Sequence, residues 1–467
     1  MRSLLYVASV VMLAGSAFSA AAAQITLLNH GEGALAAQLS AIHGAKHSVD
    51  YMTWEADPCS SSTQAVLDAM AERAANGVHV RLLVDGYALQ NGQEALFNSF
   101  ASQHGIEFKA YNDHTFFLKQ PFRSHIKLLS VDAGRASAVY FALGRNLTDS
   151  YFGLSSTFNM SGRDLMIAGT NGNQPKAAFD NIWNSSWTAY SKIRASGLKG
   201  SCLSESSADK IVSAHYSDRA DSIVASLPQF SCANVDFFMD DPKFINAGNS
   251  DQLSGHGGGN DMGRDYMNAE RLQKKHTSAK MLAFIGSAGK SLYMENQYYL
   301  PTFQLRDALT AARDRGVKIM ILTNSTARVD GGLSGTMTRQ MQNAARRDSQ
   351  KNMMIFPISG IGALRSEGKT TGTSKVRWYI HSKTAVADHQ DVYVGSFNLD
   401  QLSFANNLES GAIIRGCPTL AAAIETEYSD MVQIFKTDAK SCAKCKSESP
   451  QEDLLGAAFG WLASGFF

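Results

Sequence analysis

The sequence predicts an α/β fold of two pseudo-twofold-related lobes. Each is expected to be a mixed, mostly parallel sheet flanked by helices, with the active site between the lobes. Three observations predict it. A strand–helix–strand order occurs twice, and such units favour parallel pairing and a helix-covered sheet. The two units match locally: residues 66–84 (VLDAMAERAANGVHVRLLV) stand beside residues 305–323 (LRDALTAARDRGVKIMILT). Each unit is followed by one H-x-K-x-x-x-x-D stretch, running from His125 to Asp132 and from His381 to Asp388. The repeat is far too long for a solenoid and reads as duplication of a whole lobe.

The elements follow in order. Residues 25–28 (ITLL) begin a short apolar strand, and residues 34–44 have helical spacing. Residues 48–54 (SVDYMTW) alternate as a half-buried strand does. Residues 63–76 form an amphipathic helix, with Ser62 or Thr63 as cap and Gly77 as stop. Residues 78–84 (VHVRLLV) are a buried strand. In the second half, residues 235–239 read as a strand, 279–286 as a helix and 291–297 as a strand. Residues 302–315 read as a helix stopped by Gly316, and 317–323 as the next strand.

Composition bounds the rest. Hydrophobic residues make up 44% of the 467 and charged residues 18%, which excludes a disordered chain. Net charge is +1, so there is no general pull towards nucleic acid or an anionic membrane. Residues 1–23 read as a secretory signal: Arg2, an apolar core over 4–13, and Ala21-Ala22-Ala23 for cleavage. The expected location is therefore the bacterial periplasm or the exterior. The alternative is an uncleaved anchor, which the short apolar core disfavours. Six cysteines follow: Cys59, Cys202, Cys232, Cys417, Cys442 and Cys445. An even count in an exported chain favours disulfides. No second CxxC or CxxH completes a metal set with Cys442 and Cys445, so no metal is expected. Residues 246–263 are a glycine-rich loop, a lid or an ordinary insertion. The apolar tail, 453–467, either packs on its own lobe or touches a membrane surface. The chain divides into a signal (1–23), an N-terminal lobe (24–200), a Ser-rich connection (201–233), a C-terminal lobe (234–440) and a Cys-containing apolar tail (441–467).

The doubled motif carries the chemistry. On an extended strand alternate side chains share a face, so His125 and Lys127 point one way, as do His381 and Lys383. Each stretch is followed by a small-residue turn ending in Asn, at Asn146 and at Asn398. A lone His-x-Lys is usually a surface feature; two on matching units are not. Cleaving a phosphodiester needs a nucleophile, a proton for the leaving oxygen, and positive charge on the phosphoryl oxygens. The histidines divide the first two roles, with His125 read as nucleophile and His381 as acid; which one attacks is for geometry to decide. Lys127 and Lys383 neutralise the phosphoryl oxygens, and Asn146 and Asn398 donate to them. No cofactor is required. His256, His276 and His389 have no such pattern and read as structural or solvated.

Paired HxKxxxxD motifs in a duplicated chain resemble the phospholipase D superfamily, over about residues 24–435. The segment Tyr293-Met294-Glu295-Asn296-Gln297-Tyr298-Tyr299 is similar to the acidic-amide-aromatic segment of phospholipases D. The turn Gly144-Arg145-Asn146-Leu147-Thr148-Asp149-Ser150-Tyr151-Phe152-Gly153 is similar to that of bacterial cardiolipin synthases. The resemblance implies a phosphohistidine intermediate and a glycerophospholipid substrate. It also implies supporting acids for the histidines at Asp164 and Glu409, while Asp132 and Asp388 close the motifs farther off. A nuclease of the same superfamily is the alternative, with nucleic acid as partner. A catalytically inactive binding protein comes last. Phe116, Phe117, Leu118 and Phe122 precede His125 and suit acyl chains or core packing equally. One chain carries both motifs, so a monomer suffices for catalysis.

Overall fold

The computed structural model describes residues 22–89, 93–112, 122–170, 172–190, 202, 216, 219–243, 269–324, 334–358 and 377–438. The leader up to residue 21, Phe116 to Leu118, His256, the glycine-rich stretch, Cys442, Cys445 and the apolar tail lie outside the described residues.

The first half supplies β1 (Ala23–Leu28), β2 (Ser48–Thr53), β3 (His79–Asp85), β4 (Glu107–Tyr111), β5 (Leu128–Val131), β6 (Val139–Ala142), β7 (Phe158–Ser161), β8 (Asp164–Ala168), β9 (Thr188–Tyr190) and β10 (Gln229–Cys232). The second supplies β11 (Asn234–Met239), β12 (Ser291–Asn296), β13 (Lys318–Asn324), β14 (Met353–Ile358), β15 (Arg377–Ile380), β16 (Lys383–Ala387), β17 (Asp391–Gly395) and β18 (Ser410–Arg415). One sheet runs β10-β1-β8-β6-β5-β2-β3-β4-β9 and the other β11-β18-β17-β16-β12-β13-β14. Setting aside the edge strands β10 and β9, the two orders are the same. The duplication read from the motifs is thus a duplication of topology.

The strand–helix–strand units form as their periodicity predicts. β2 pairs parallel with β3 across the helix Ser61–Ala75, and β12 with β13 across the helix Phe303–Asp314. Thr302 caps the second helix by accepting from the Leu305 amide. Gly77 and Gly316 leave the two helices at φ +82° and +93°, where a side chain would be strained.

Two expectations need correction. The sheets are mixed but mostly antiparallel: only β2–β3, β3–β4, β12–β13 and β13–β14 are parallel within them. The cause lies in the motif stretches. Each HxK strand turns back directly on the next strand, β5 on β6 and β16 on β17, and short connections allow antiparallel pairing alone. The connection drawn over residues 201–233 also contains structure. Its end is the helix Ala220–Ala225 and strand β10, which joins the first sheet beside β1.

The core is layered. Helices including Gly31–His43 and Ser61–Ala75 cover the outer face of the first sheet. Helices including His276–Ser287 and Phe303–Asp314 cover that of the second. Between them one apolar cluster joins both sheets, with Ile25, Leu27 and Leu165 from the first and Val394, Ala412 and Ile414 from the second. The lobes also exchange backbone. The His125 amide donates to Leu408 O at 2.9 Å, and the Leu408 amide to Arg123 O at 2.7 Å. In the mirror arrangement β15 pairs parallel with β7, and the His381 amide donates to Ser161 O at 2.7 Å. Each histidine is therefore anchored to the opposite lobe. Disulfides join Cys59 to Cys202 and Cys232 to Cys417.

Candidate active site

The two Asn turns meet at the lobe boundary. Gly395 is packed so closely that a Cβ there would lie 2.3 Å from Ser410 O, so no side chain fits. A Cβ on Gly144 would lie 3.3 Å from Gly395 O. The turns thus touch across the pseudo-twofold, and Asn146 and Asn398 follow just beyond them.

Asp132 and Asp388 sit at the far ends of the motif strands. Both take positive φ, 51° and 54°, which Asp tolerates better than most residues. Asp132 accepts from the amides of Lys46, His47 and Ser48. Asp388 accepts from those of Gly289, Lys290 and Ser291. They tie the motif strand to the start of its neighbour.

His125 is held from the other lobe. Its Nδ1 lies 3.0 Å from Glu409 Oε2 and 3.1 Å from Oε1. Glu409 is fully buried and accepts from Ser403 Oγ at 2.6 Å and from Ser396 Oγ. Its own amide donates to Asp240, which is paired with buried Lys275. Burial raises the Glu409 carboxyl, but His125 and the nearby lysines outweigh it and hold it ionised. Burial drives His125 down to about 4, against the pull of Glu409. Near neutral pH the ring is therefore uncharged. Its Nδ1 proton faces the carboxylate, which leaves the Nε2 lone pair free.

His381 has a different neighbourhood. The expected support from Asp164 is absent: Asp164 binds Arg145 Nη1 at 2.7 Å and accepts from the Gly144 amide at 2.6 Å. Arg145 is itself buried, with bonds to Leu28 O, Asn29 O and Tyr151 O, and needs that countercharge. His381 Nδ1 instead faces Lys383 Nζ at 3.1 Å, and its ring meets Tyr151 edge-on at 4.7 Å. Burial lowers its pKa strongly, and Lys383, Lys127, His125 and Arg145 lower it further. His125 in turn feels Lys127 and Lys383. All four motif side chains therefore lie within electrostatic reach of one another.

Both lysines are fully buried, and each donates to the carbonyl of its own motif histidine, at 2.8 and 2.7 Å. Burial brings Lys127 down to about 7, although Glu409, Glu55 and Asp85 pull upward. Asn146 differs from the expected donor. Asn146 spends its amide hydrogens on Tyr151 Oη at 2.9 Å and Glu55 at 3.3 Å. The Oδ1 atoms of Asn146 and Asn398 are buried without a partner, which leaves acceptor positions for a ligand. Sequence reading missed Glu55 and Trp54 and gave Tyr151 no role beyond its place in the turn; Trp54 meets His125 edge-on at 6.1 Å. Among the described residues no cluster of three or more His, Cys, Asp or Glu is placed to hold a metal ion.

A family described as "Cardiolipin synthase, PLD-like domain" matches residues 39–165 and 281–432. The chain belongs to the phospholipase D superfamily. Both matched segments carry one motif and its Asn turn. Among curated relatives of this superfamily, Cardiolipin synthase C of Escherichia coli is 25% identical, over 85% of this chain and 82% of its own. A cardiolipin synthase of Clostridium perfringens is 24% identical, over 82% of this chain and 64% of its own. Among solved structures, the phosphatidylserine synthase of Haemophilus influenzae superposes with a TM-score of 0.56 at 12% identity. It covers 92% of this chain and 94% of its own, and shows the two-lobed fold.

Proposed function

We propose that the protein is a phospholipase D-type phosphatidyltransferase acting on glycerophospholipids through a phosphohistidine intermediate. The observation that carries this is the unequal support of the two imidazoles. His125 Nε2 attacks phosphorus, and the bond from phosphorus to the headgroup oxygen breaks. Glu409 stabilises the positive charge that develops on the ring. His381, ringed by ammonium and guanidinium charge, is a strong acid once protonated. It gives that proton to the departing headgroup oxygen. In the second half, His381 takes the proton of the incoming hydroxyl, whose oxygen attacks phosphorus and releases His125. Lys127 and Lys383 balance the phosphoryl oxygens throughout.

Burial supports transfer over hydrolysis. The His125 side chain is 12% exposed, and a dry site favours an alcohol bound in place over bulk water. The names of the curated relatives and the near-neutral charge support lipid over nucleic acid. The leader sequence and two disulfides support export.

The test is a side-by-side assay. Phosphatidylglycerol and phosphatidylcholine vesicles are scored for headgroup release and transfer products, beside plasmid and single-stranded DNA. Lipid turnover is expected, and it should be lost in His125→Ala and His381→Ala proteins that keep their thermal midpoint. DNA cleavage without lipid turnover would replace this reading with the nuclease one.

A further inference from the structure

One buried arginine beside the nucleophile has an unmet donor. Arg123 is 7% exposed, yet its Nη2 has no hydrogen-bond partner. Other buried arginines close their bonds: Arg81 on Asp50 and Asp180, Arg145 on Asp164, Arg163 on Glu295 and Glu427. Burying an unpaired guanidinium donor is unfavourable, so such an atom points to a missing acceptor.

Its nearest countercharge does not fill that place. Asp85 Oδ1 stands 3.8 Å from Arg123 Nη1, beyond hydrogen-bond range. The two Asp85 oxygens are taken by the amides of Tyr87 at 2.9 Å and Ser124 at 2.7 Å. Asp85 therefore holds the backbone around Arg123 and leaves the fork free. Burial also pushes the Asp85 carboxyl up to about 7, so its charge is only partly present at neutral pH.

The position is specific. Arg123 lies two residues before His125 on the same extended run, so both side chains face one way from Cα atoms on the order of 7 Å apart. The guanidinium lies over the Tyr87 ring at 4.2 Å. Tyr87 stacks on Trp54 at 5.9 Å, and Trp54 meets His125. A continuous shelf thus leads from the fork to the attacking ring. The duplication does not repeat it: the matching place before His381 is Tyr379, packed against Phe158. One side of the reaction centre has a buried arginine with an unmet donor, and the matching place on the other has a tyrosine.

We propose that Arg123, on the shelf of Tyr87 and Trp54, binds the phosphodiester of the acceptor, which is then a second glycerophospholipid offering a headgroup hydroxyl. A glycerol headgroup separates its own phosphate from the new phosphorus by about the backbone spacing of alternate strand residues. The guanidinium fork fits two oxygens of that diester. The hydroxyl then reaches the phosphohistidine while water must compete without such an anchor. This rests on the transferase reading above.

Two measurements decide it. The first is the partition of the phosphatidyl group between phosphatidylglycerol and water, read from one reaction. Partition depends only on steps after the intermediate, so a general loss of activity or fold does not move it. Arg123→Gln should shift it towards water about tenfold, and Arg123→Lys should recover part of the loss; an unchanged partition in both variants overturns the proposal. The second is calorimetric titration of soluble glycerophosphoglycerol into His125→Ala protein. Two sites are expected, with one lost in the His125→Ala, Arg123→Gln double variant. A single site in the parent, or two in both, overturns the subsite. Inorganic phosphate should bind the Arg123 site at least tenfold more weakly; equal affinity would make it a receptor for free phosphate instead. A wild-type enzyme that turns over no phospholipid removes the transferase reading, and the titration then decides the subsite alone.

Discussion

Lys127 sits fully buried two residues from His125, with its pKa brought down to about 7 by that burial. His125 stands at about 4 for the same reason. These values set a pH window for the free enzyme. For a short-chain phospholipid, kcat/KM should rise through about pH 4 as His125 loses its proton. It should fall first as His381 loses the proton it has to donate, at a pKa that burial and the neighbouring cations hold well below the usual value, and again in a further alkaline limb above about pH 7 as Lys127 loses its charge. Lys127→Arg keeps the charge to far higher pH, so the alkaline limb should move up by at least one unit. A limb that stays in place belongs to another group. Stability follows the same shift with a definite sign. Lys127 titrates near 10.5 when unfolded and near 7 when folded, so the unfolded chain binds more protons between those values. Stability should rise with pH across that window and fall as pH drops through it. Thermal midpoints from pH 7 to 10 should show the rise, and Lys127→Met should flatten it. Glu409→Gln leaves the shape but not the charge. Turnover should drop about 10²- to 10⁴-fold, as when the acid behind a catalytic histidine is neutralised.

The elements around the site show why some of it could be read in advance. β2, β3, β12 and β13 announced themselves because period-two and period-3.6 patterns alternate with glycine stops. The His and Lys of each motif were equally legible, because alternation on an extended strand puts them together. The exchange of backbone between lobes was not. Residues 122–125 and 377–381 are short and extended, and their partners, Leu408 and β7, lie far away in the chain. Asp164 misled for a local reason. Arg145, one residue before the Asn, competes for its carboxylate, and the sequence shows the acid without showing the competitor's reach. Arg123 did leave a signal: Arg-x-His-x-Lys places three basic side chains on one face. The joint between lobes has its own electrostatic element. Arg163 of the first lobe binds Glu295 at 2.8 Å and Glu427 at 2.7 Å, both from the second. Removing one member of a buried cluster strands the others, at a cost of about 3–5 kcal/mol. Arg163→Leu should lower the urea midpoint accordingly; a shift below about 1 kcal/mol would mean that water already reaches the cluster.

At the scale of the molecule, the two lobes are held by a shared apolar layer, by exchanged strands and by a covalent bridge. Cys232 ends β10 of the first sheet, and Cys417 follows β18 of the second. Closing so long a loop stabilises by about 2–4 kcal/mol, chiefly through the unfolded chain. Cys232→Ser should lower the thermal midpoint by several degrees and leave the pH profile of turnover unchanged. A changed profile would place the bridge in control of the site as well. Under the proposed export both bonds persist, and non-reducing gels of protein recovered from the periplasm should show the faster-migrating form.

The crossing of backbone beside the histidines also limits how this enzyme can be divided. A fragment ending near residue 233 would carry one complete motif, yet its imidazole would lack the carbonyl and carboxylate that fix it. Two such fragments, made separately and mixed once folded, should remain silent. Synthesised together, they could intertwine before either half hardens and recover the whole reaction.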